Sequence, residues 1–149
     1  MVMIQLPPDF RDFLKLLNLK KVEYLIIGGY AVGYYGYPKA TGNIDIWISN
    51  KKSNAVKIAE VIKEFGFDVP DLSAALFTEE NKITRMGVPP LRIELLTSIS
   101  GVDFDECYKA KEVTMLDDVE VNFINLEHLK INKKSAGRYK DLDDLENLP

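Results

Sequence analysis

The feature that most constrains the fold is Asn43-Ile44-Asp45-Ile46-Trp47-Ile48-Ser49, in which isoleucines alternate with other residues. A period of two is the signature of a β-strand. Ile44, Ile46 and Ile48 are therefore expected on one face, and Asn43, Asp45, Trp47 and Ser49 on the other. Upstream, Tyr24–Ile27 is a short apolar run stopped by Gly28-Gly29. It reads as a buried strand leading into a tight turn, followed by a short helix over about residues 30–35.

Other elements follow from the same kind of pattern. Asp9 is expected to cap a first helix that buries Phe10, Phe13, Leu14 and Leu17 and ends near Asn18. Ser53 is expected to cap a helix carrying Val56, Ala59, Ile62 and Phe65 on its apolar face, with Gly66 ending it in a left-handed conformation. Residues 76–78 and 82–86 each read as a strand. Residues 91–97 alternate, with Ile93 and Leu95 facing one way and Arg92, Glu94 and Leu96 the other. Residues 112–116 and 120–124 flank Asp117-Asp118 as a hairpin, and Asn125 caps a helical C-terminal region reaching about Leu148. The whole chain, residues 1–149, is expected to form a single α+β domain, a mixed sheet flanked by helices with a helical C-terminal segment.

Composition narrows the function classes. No stretch approaches the apolar length of a membrane helix, and residues 1–9 lack the charged and apolar regions of a signal peptide, so a cytoplasmic protein with no membrane partner is expected. The single cysteine, Cys107, excludes an internal disulfide and a thiolate zinc site. Lacking a neighbouring His, it reads as a small core residue rather than a nucleophile. His128 reads as a surface helix residue. With 23 acidic and 19 basic residues and a net charge of -4, the chain has no global field to gather nucleic acid.

Three constellations carry chemistry. A strand, Gly28-Gly29 and a helix start can admit phosphate, because glycines let the backbone approach a ligand and helix N-H groups favour anions. Taken alone, a Gly-Gly pair after a strand is more often only a turn. Asn43 and Asp45 project from one strand face, where oxygen side chains could hold a magnesium ion bridging phosphates. By itself Asp45 could instead be an exposed polar residue of an edge strand. Glu94 sits among apolar residues in Leu91-Arg92-Ile93-Glu94-Leu95-Leu96 and should have a partner, a metal or a solvent-filled cleft. If its strand lies beside residues 44–48, Glu94 converges on Asp45 and can act as a base; the alternative is a salt bridge with Arg92 or a lysine. A fourth feature, Lys130, Lys133, Lys134, Arg138 and Lys140, could meet RNA or triphosphate, but Asp141, Asp143 and Asp144 follow closely and a solvated helix face explains it more simply.

Taken together, Gly28-Gly29, then Lys39-Ala40-Thr41-Gly42-Asn43-Ile44-Asp45, then Arg92-Ile93-Glu94-Leu95-Leu96 resemble the motifs of minimal nucleotidyltransferases of the polymerase-beta-like superfamily. Those motifs are Gly-Gly, Arg-x-Thr-x-Asp-x-Asp and a third carboxylate on a strand. Within that superfamily the sequence is similar to the group related to the AbiEii toxins of toxin-antitoxin systems, and its tail, with Lys133, Arg138, Lys140, Asp141 and Asp144, is similar to that group's C-terminal helices.

The resemblance covers roughly residues 20–148 and implies a polymerase-beta-like nucleotidyltransferase fold. It implies Mg2+ or Mn2+ held by Asp45, Glu94 and the Asn43 position, with Gly28 and Gly29 cradling an NTP, Lys39 near phosphate and Thr41 supporting the turn. Transfer of a nucleoside monophosphate to a hydroxyl of an RNA end, a protein or a small molecule is the implied reaction, and a cognate antitoxin or toxin an implied partner. Three positions depart from the family pattern: Asn43 stands for its first Asp, Lys39 for Arg and Glu94 for Asp. Asn43 matters most, since a neutral amide replaces a charged metal ligand; the alternative function is therefore a catalytically inactive nucleotide- or partner-binding module of the same fold.

Overall fold

In a computed structural model, residues 5–149 are described. The first four, part of the segment read above for a leader, lie outside it. One six-stranded mixed sheet organises the chain: β1 (Tyr24–Ile27), β2 (Asn43–Ile48), β3 (Ile83–Val88), β4 (Leu91–Leu96), β5 (Glu112–Leu116) and β6 (Val119–Phe123), in the order β3-β4-β2-β1-β6-β5. β2 runs parallel to β4 and β1 parallel to β6, while the remaining neighbours are antiparallel. The helices are α1 (Pro8–Leu19), α2 (Gly28–Tyr34), α3 (Lys52–Phe65), α4 (Phe104–Lys109), α5 (Leu126–Ala136) and α6 (Tyr139–Asn147). The α+β class with a mixed sheet is as expected. None of the described helices is long and apolar enough to cross a membrane.

Alternation sets the core as the sequence implied. Ile44, Ile46 and Ile48 are buried, and Phe10, Phe13, Leu14 and Leu17 of α1 are buried with them in one apolar cluster. Phe13 meets Phe65 and Phe67 edge-on or tilted, which joins α1 to the end of α3. The other face of β2 does not stay polar along its length. Trp47 is buried edge-on against Phe104 of α4, and Ser49 is buried too, so only Asn43 and Asp45, at the strand's start, remain partly open.

Several local expectations need correction. Pro7 rather than Asp9 precedes α1, with Pro8 at its first position, where the missing N-H costs nothing and the fixed φ suits the helix. The expected cap Ser53 lies inside the first turn of α3, whose N-cap is Lys51 without a side-chain bond. Residue Asn54 is instead buried, with Oδ1 accepting from Glu23 N (2.8 Å) and Nδ2 donating to Ser49 O (2.8 Å) and Glu23 O (3.1 Å). The buried stripe of α3 is Ala55, Ile58, Val61 and Ile62, and Val56 is exposed, so the helix is turned by about one residue from the expected face. Residues 76–78 form no strand: Ala74–Phe77 is a 3-10 helix that buries Phe77.

Elsewhere the expectations hold. Gly66 ends α3 with φ 92°, Asn125 Oδ1 accepts from His128 N (2.7 Å) to cap α5, and Asp117 and Asp118 both take positive φ in the β5–β6 hairpin turn. Cys107 is fully buried, and burial, with Asp103 and Glu106 nearby, pushes its thiol up to about 11, as befits a core residue.

Candidate functional site

Register places the two carboxylates. In the parallel pairing of β2 with β4, Asn43 lies opposite Arg92 and Asp45 opposite Glu94. Neighbouring residues of paired strands share a face, so Asp45 and Glu94 stand side by side. Burial first, then the adjacent Glu94, pushes the Asp45 carboxyl up to about 6, while Lys140 and Lys133 oppose the rise. Glu94 is also reached by Arg85 Nε of the edge strand β3 at 3.2 Å and by Arg92 Nη2 of its own strand at 3.8 Å. The ion pair foreseen with Arg92 thus coexists with convergence on Asp45.

Gly28 and Gly29 are not a turn before the next helix but its first residues, because α2 begins at Gly28. Gly28 adopts φ +68°, and a Cβ there would overlap Asp45 Oδ2. Only glycine therefore lets the end of β1 pass against the carboxylate. A Cβ on Gly29 would come within 3.1 Å of Thr41 Cγ2, so Thr41 packs on the second glycine. Thr41 also closes a local turn: its Oγ1 donates to Asn43 O (3.2 Å) and accepts from Asn43 N (3.3 Å). At Gly42 the chain is pressed against Pro90, whose carbonyl oxygen leaves no room for a side chain.

These residues line one cleft of about 600 Å³, which takes in Gly28, Gly29, Lys39, Thr41, Asn43, Asp45 and Glu94. All seven residues singled out in the sequence are brought together there. The far wall comes from the C-terminal helices, including Lys133, Arg138, Lys140, Asp141 and Asp144. The reading of the basic cluster as a solvated helix face needs correction at Lys133 alone, although Arg138 and Lys140 also border the cleft. Lys133 is buried and bonded to Asp144 Oδ2 (2.9 Å) and Asp141 Oδ1 (3.4 Å), whereas Lys134, Arg138 and Lys140 are exposed. Lys39 Nζ reaches Asp144 Oδ1 at 2.5 Å, and Arg138 grips Asp141 through Nε (2.6 Å) and Nη2 (3.2 Å).

Asp141 and Asp144 contrast with Asp45. Burial alone would raise both, but hydrogen bonds from Arg138 to Asp141, and from Lys39 and Lys133 to Asp144, outweigh it and hold both below the usual carboxylate range. The cleft thus sets two adjacent carboxylates on the sheet, of which Glu94 is ion-paired and Asp45 is not, against Asp141 and Asp144 on the helices, each bonded to two cationic side chains. The i, i+3 spacing of Asp141 and Asp144 was a signal for a shared helix face, but which face packs inward depends on how α5 and α6 fold back. Among the described residues no group of three or more His, Cys, Asp or Glu side chains is arranged to hold a metal ion. Two carboxylates meet, and the amide of Asn43, two residues before Asp45 on β2, lines the same cleft.

Solved structures share this architecture. A candidate nucleotidyltransferase from Thermotoga maritima, TM1012, superposes with a TM-score of 0.62 at 18% identity, over 92% of this chain and 88% of its own. The lincosamide antibiotic adenylyltransferase LnuA, solved with lincomycin bound, gives 0.59 at 14% identity, covering 95% of each chain. An antigenic nucleotidyltransferase-like protein from Paracoccidioides brasiliensis gives 0.57 at 18% identity, over 91% of this chain and 71% of its own. At such identities the likeness establishes the fold, and it is the nucleotidyltransferase fold. No curated protein matches the sequence. The model of the family described as "Nucleotidyl transferase of unknown function (DUF2204)" matches residues 8–149, and the chain belongs to that family.

Proposed function

We propose that the cleft transfers a nucleoside monophosphate from an NTP to a hydroxyl acceptor, releasing pyrophosphate. The observation that carries this reading is the pairing of Asp45 with Glu94 directly against Gly28, at the start of a helix. The donor set suits a hard dication. Two adjacent carboxylates and an amide oxygen are ligands that Mg2+ or Mn2+ accept, and the raised Asp45 pKa marks a site that gains from added positive charge. Asp45, Glu94 and Asn43 would hold the ion, which supplies charge neutralisation at the transferring phosphate.

The chain's own groups do the rest. Gly28 and Gly29, with no Cβ and with helix-start N-H groups, let phosphate oxygens approach the backbone. Lys39 sits at the same cleft with a cationic tip. As the acceptor oxygen bonds to the α-phosphorus, the bond to the β-phosphate bridging oxygen breaks, and the acceptor proton passes to the Asp45–Glu94 pair.

The acceptor class follows from likeness alone: LnuA is named for adenylating an antibiotic, which favours a small-molecule hydroxyl, while the AbiEii-like motifs favour an RNA end or protein in a toxin-antitoxin pair. An NTP substrate agrees with a cytoplasmic setting. The second reading, a nucleotide- or partner-binding module without turnover, is favoured by Asn43, which leaves two carboxylates where three would be used.

Transfer of label from α-labelled NTPs to small hydroxyl compounds, total RNA and lysate protein, with Mg2+ or Mn2+, separates the two. Asn43→Asp restores a charged ligand and is expected to raise the rate by at least tenfold, and more if the amide has disabled the site, since each 1.4 kcal/mol of transition-state stabilisation is about tenfold. No label transferred by either form would leave the binding module as the function.

A further inference from the structure

The C-terminal helices place a buried carboxylate where it controls two cations of the cleft. Asp144, on α6, has a side chain only 3% exposed, and it joins Lys39, from the segment before β2, to Lys133, from α5. Lys39 has no other ion pair among the described residues, while Lys133 also reaches Asp141, whose remaining capacity is taken by Arg138. An ammonium group has three donors. One bond to Asp144 leaves Lys39 two donors and, at 27% side-chain exposure, an open route to the cleft. Three cations from the C-terminal helices and their junction, Lys133, Arg138 and Lys140, together with Lys39 from the segment before β2, stand against two carboxylates, Asp141 and Asp144, so this side of the cleft keeps an excess of positive charge facing the Asp45–Glu94 pair. A pair kept solely for folding would gain little from this placement, since a buried ion pair is seldom more stabilising than apolar packing.

We propose that Asp144 is a positioning residue for the nucleotide's phosphates, fixing the Lys39 and Lys133 ammonium groups side by side so that they bind the β- and γ-phosphates that leave as pyrophosphate. This rests on the nucleotidyl-transfer reading above. Asp144 does not touch the substrate; it acts through the two lysines, because without it Lys39 would sample many rotamers and Lys133 would be drawn to Asp141 alone, so that the phosphates would be met at a higher entropic cost.

The test is calorimetric titration of Asp144→Asn, Lys39→Ala and the double variant with each NTP in Mg2+ and with inorganic tripolyphosphate, a probe of the phosphate subsite alone. Folding is verified by circular dichroism and thermal melting. Asp144→Asn is expected to weaken NTP and tripolyphosphate binding alike by about tenfold, and to add little once Lys39 is already Ala, because the two act as one unit. A folded Asp144→Asn protein with parental affinity for tripolyphosphate, or a loss that is additive with Lys39→Ala, overturns the proposal and leaves the nucleotide site standing. Should the Asn variant not fold, Asp144→Glu keeps the charge but displaces it by one methylene; the same tenfold loss is expected, and parental affinity contradicts the claim. If the parent chain binds neither NTP nor tripolyphosphate, the nucleotide reading falls and this proposal with it.

Discussion

Asp45 and Glu94 place two carboxylates on adjacent strands where only part of their surface meets water. Burial and the Glu94 charge raise Asp45 to about 6, so the folded chain holds that proton more tightly than the unfolded one. Between about pH 4, the ordinary Asp value, and pH 6 the native state therefore binds more protons, and this site's contribution to stability falls as pH rises through that window. Asp45→Asn removes the penalty. It is expected to raise the unfolding free energy by on the order of 1 to 3 kcal/mol at pH 7 and by almost nothing at pH 4, as read from urea unfolding at both values. An equal gain at both would show that the carboxylate pair is not the cause. At this scale the sequence was informative because each signal is local. Period-two alternation put Asn43 and Asp45 on one face, and a Gly-Gly pair after an apolar run marked a close backbone approach. What it could not reveal is that Gly28 yields its space to Asp45 itself, a contact between the first residue of α2 and β2.

Among the elements, α3 shows how a side chain that reads as an unremarkable helix residue can organise the sheet. Asn54 is buried and bonds the backbone on both sides of the β1–β2 pair, at Glu23 and at Ser49. Asn54→Ala leaves Glu23 N and Ser49 O without the amide, while Glu23 O keeps its bond from Ser49 N (3.2 Å), so a loss of about 2 to 3 kcal/mol is expected, visible as a lower urea midpoint with an unchanged slope. A change within about 0.5 kcal/mol would show that water replaces the amide. Elements with strong alternation or clear caps, such as β2, β4, the β5–β6 hairpin and α5, were legible. The 3-10 helix at Ala74–Phe77 was not, since a short apolar run fits helix and strand equally. Nor was α4, whose six residues give too short a pattern, although Asp103 Oδ2 caps it by accepting from Glu106 N at 3.2 Å.

For the molecule as a whole, the cleft is an assembly of distant segments: the β1–α2 junction, the start of β2, the middle of β4 and the α5–α6 pair. The basic tail reads as surface in isolation and becomes a cleft wall only when α5 and α6 pack together, so Lys133 could not be placed from its neighbours in sequence. The fold follows from the family and is shared with the solved structures, while the proposed chemistry rests on the carboxylate pair, the glycines and the cations of the cleft. The most direct test is thermal unfolding of the parent chain and of Asp45→Asn with each NTP, with and without Mg2+. A ligand at a hundred times its dissociation constant adds about 2.7 kcal/mol to stability. The account predicts stabilisation of that order for at least one NTP with the parent chain, dependent on Mg2+ and lost in Asp45→Asn. No shift with any NTP, or an equal shift in Asp45→Asn, would contradict it.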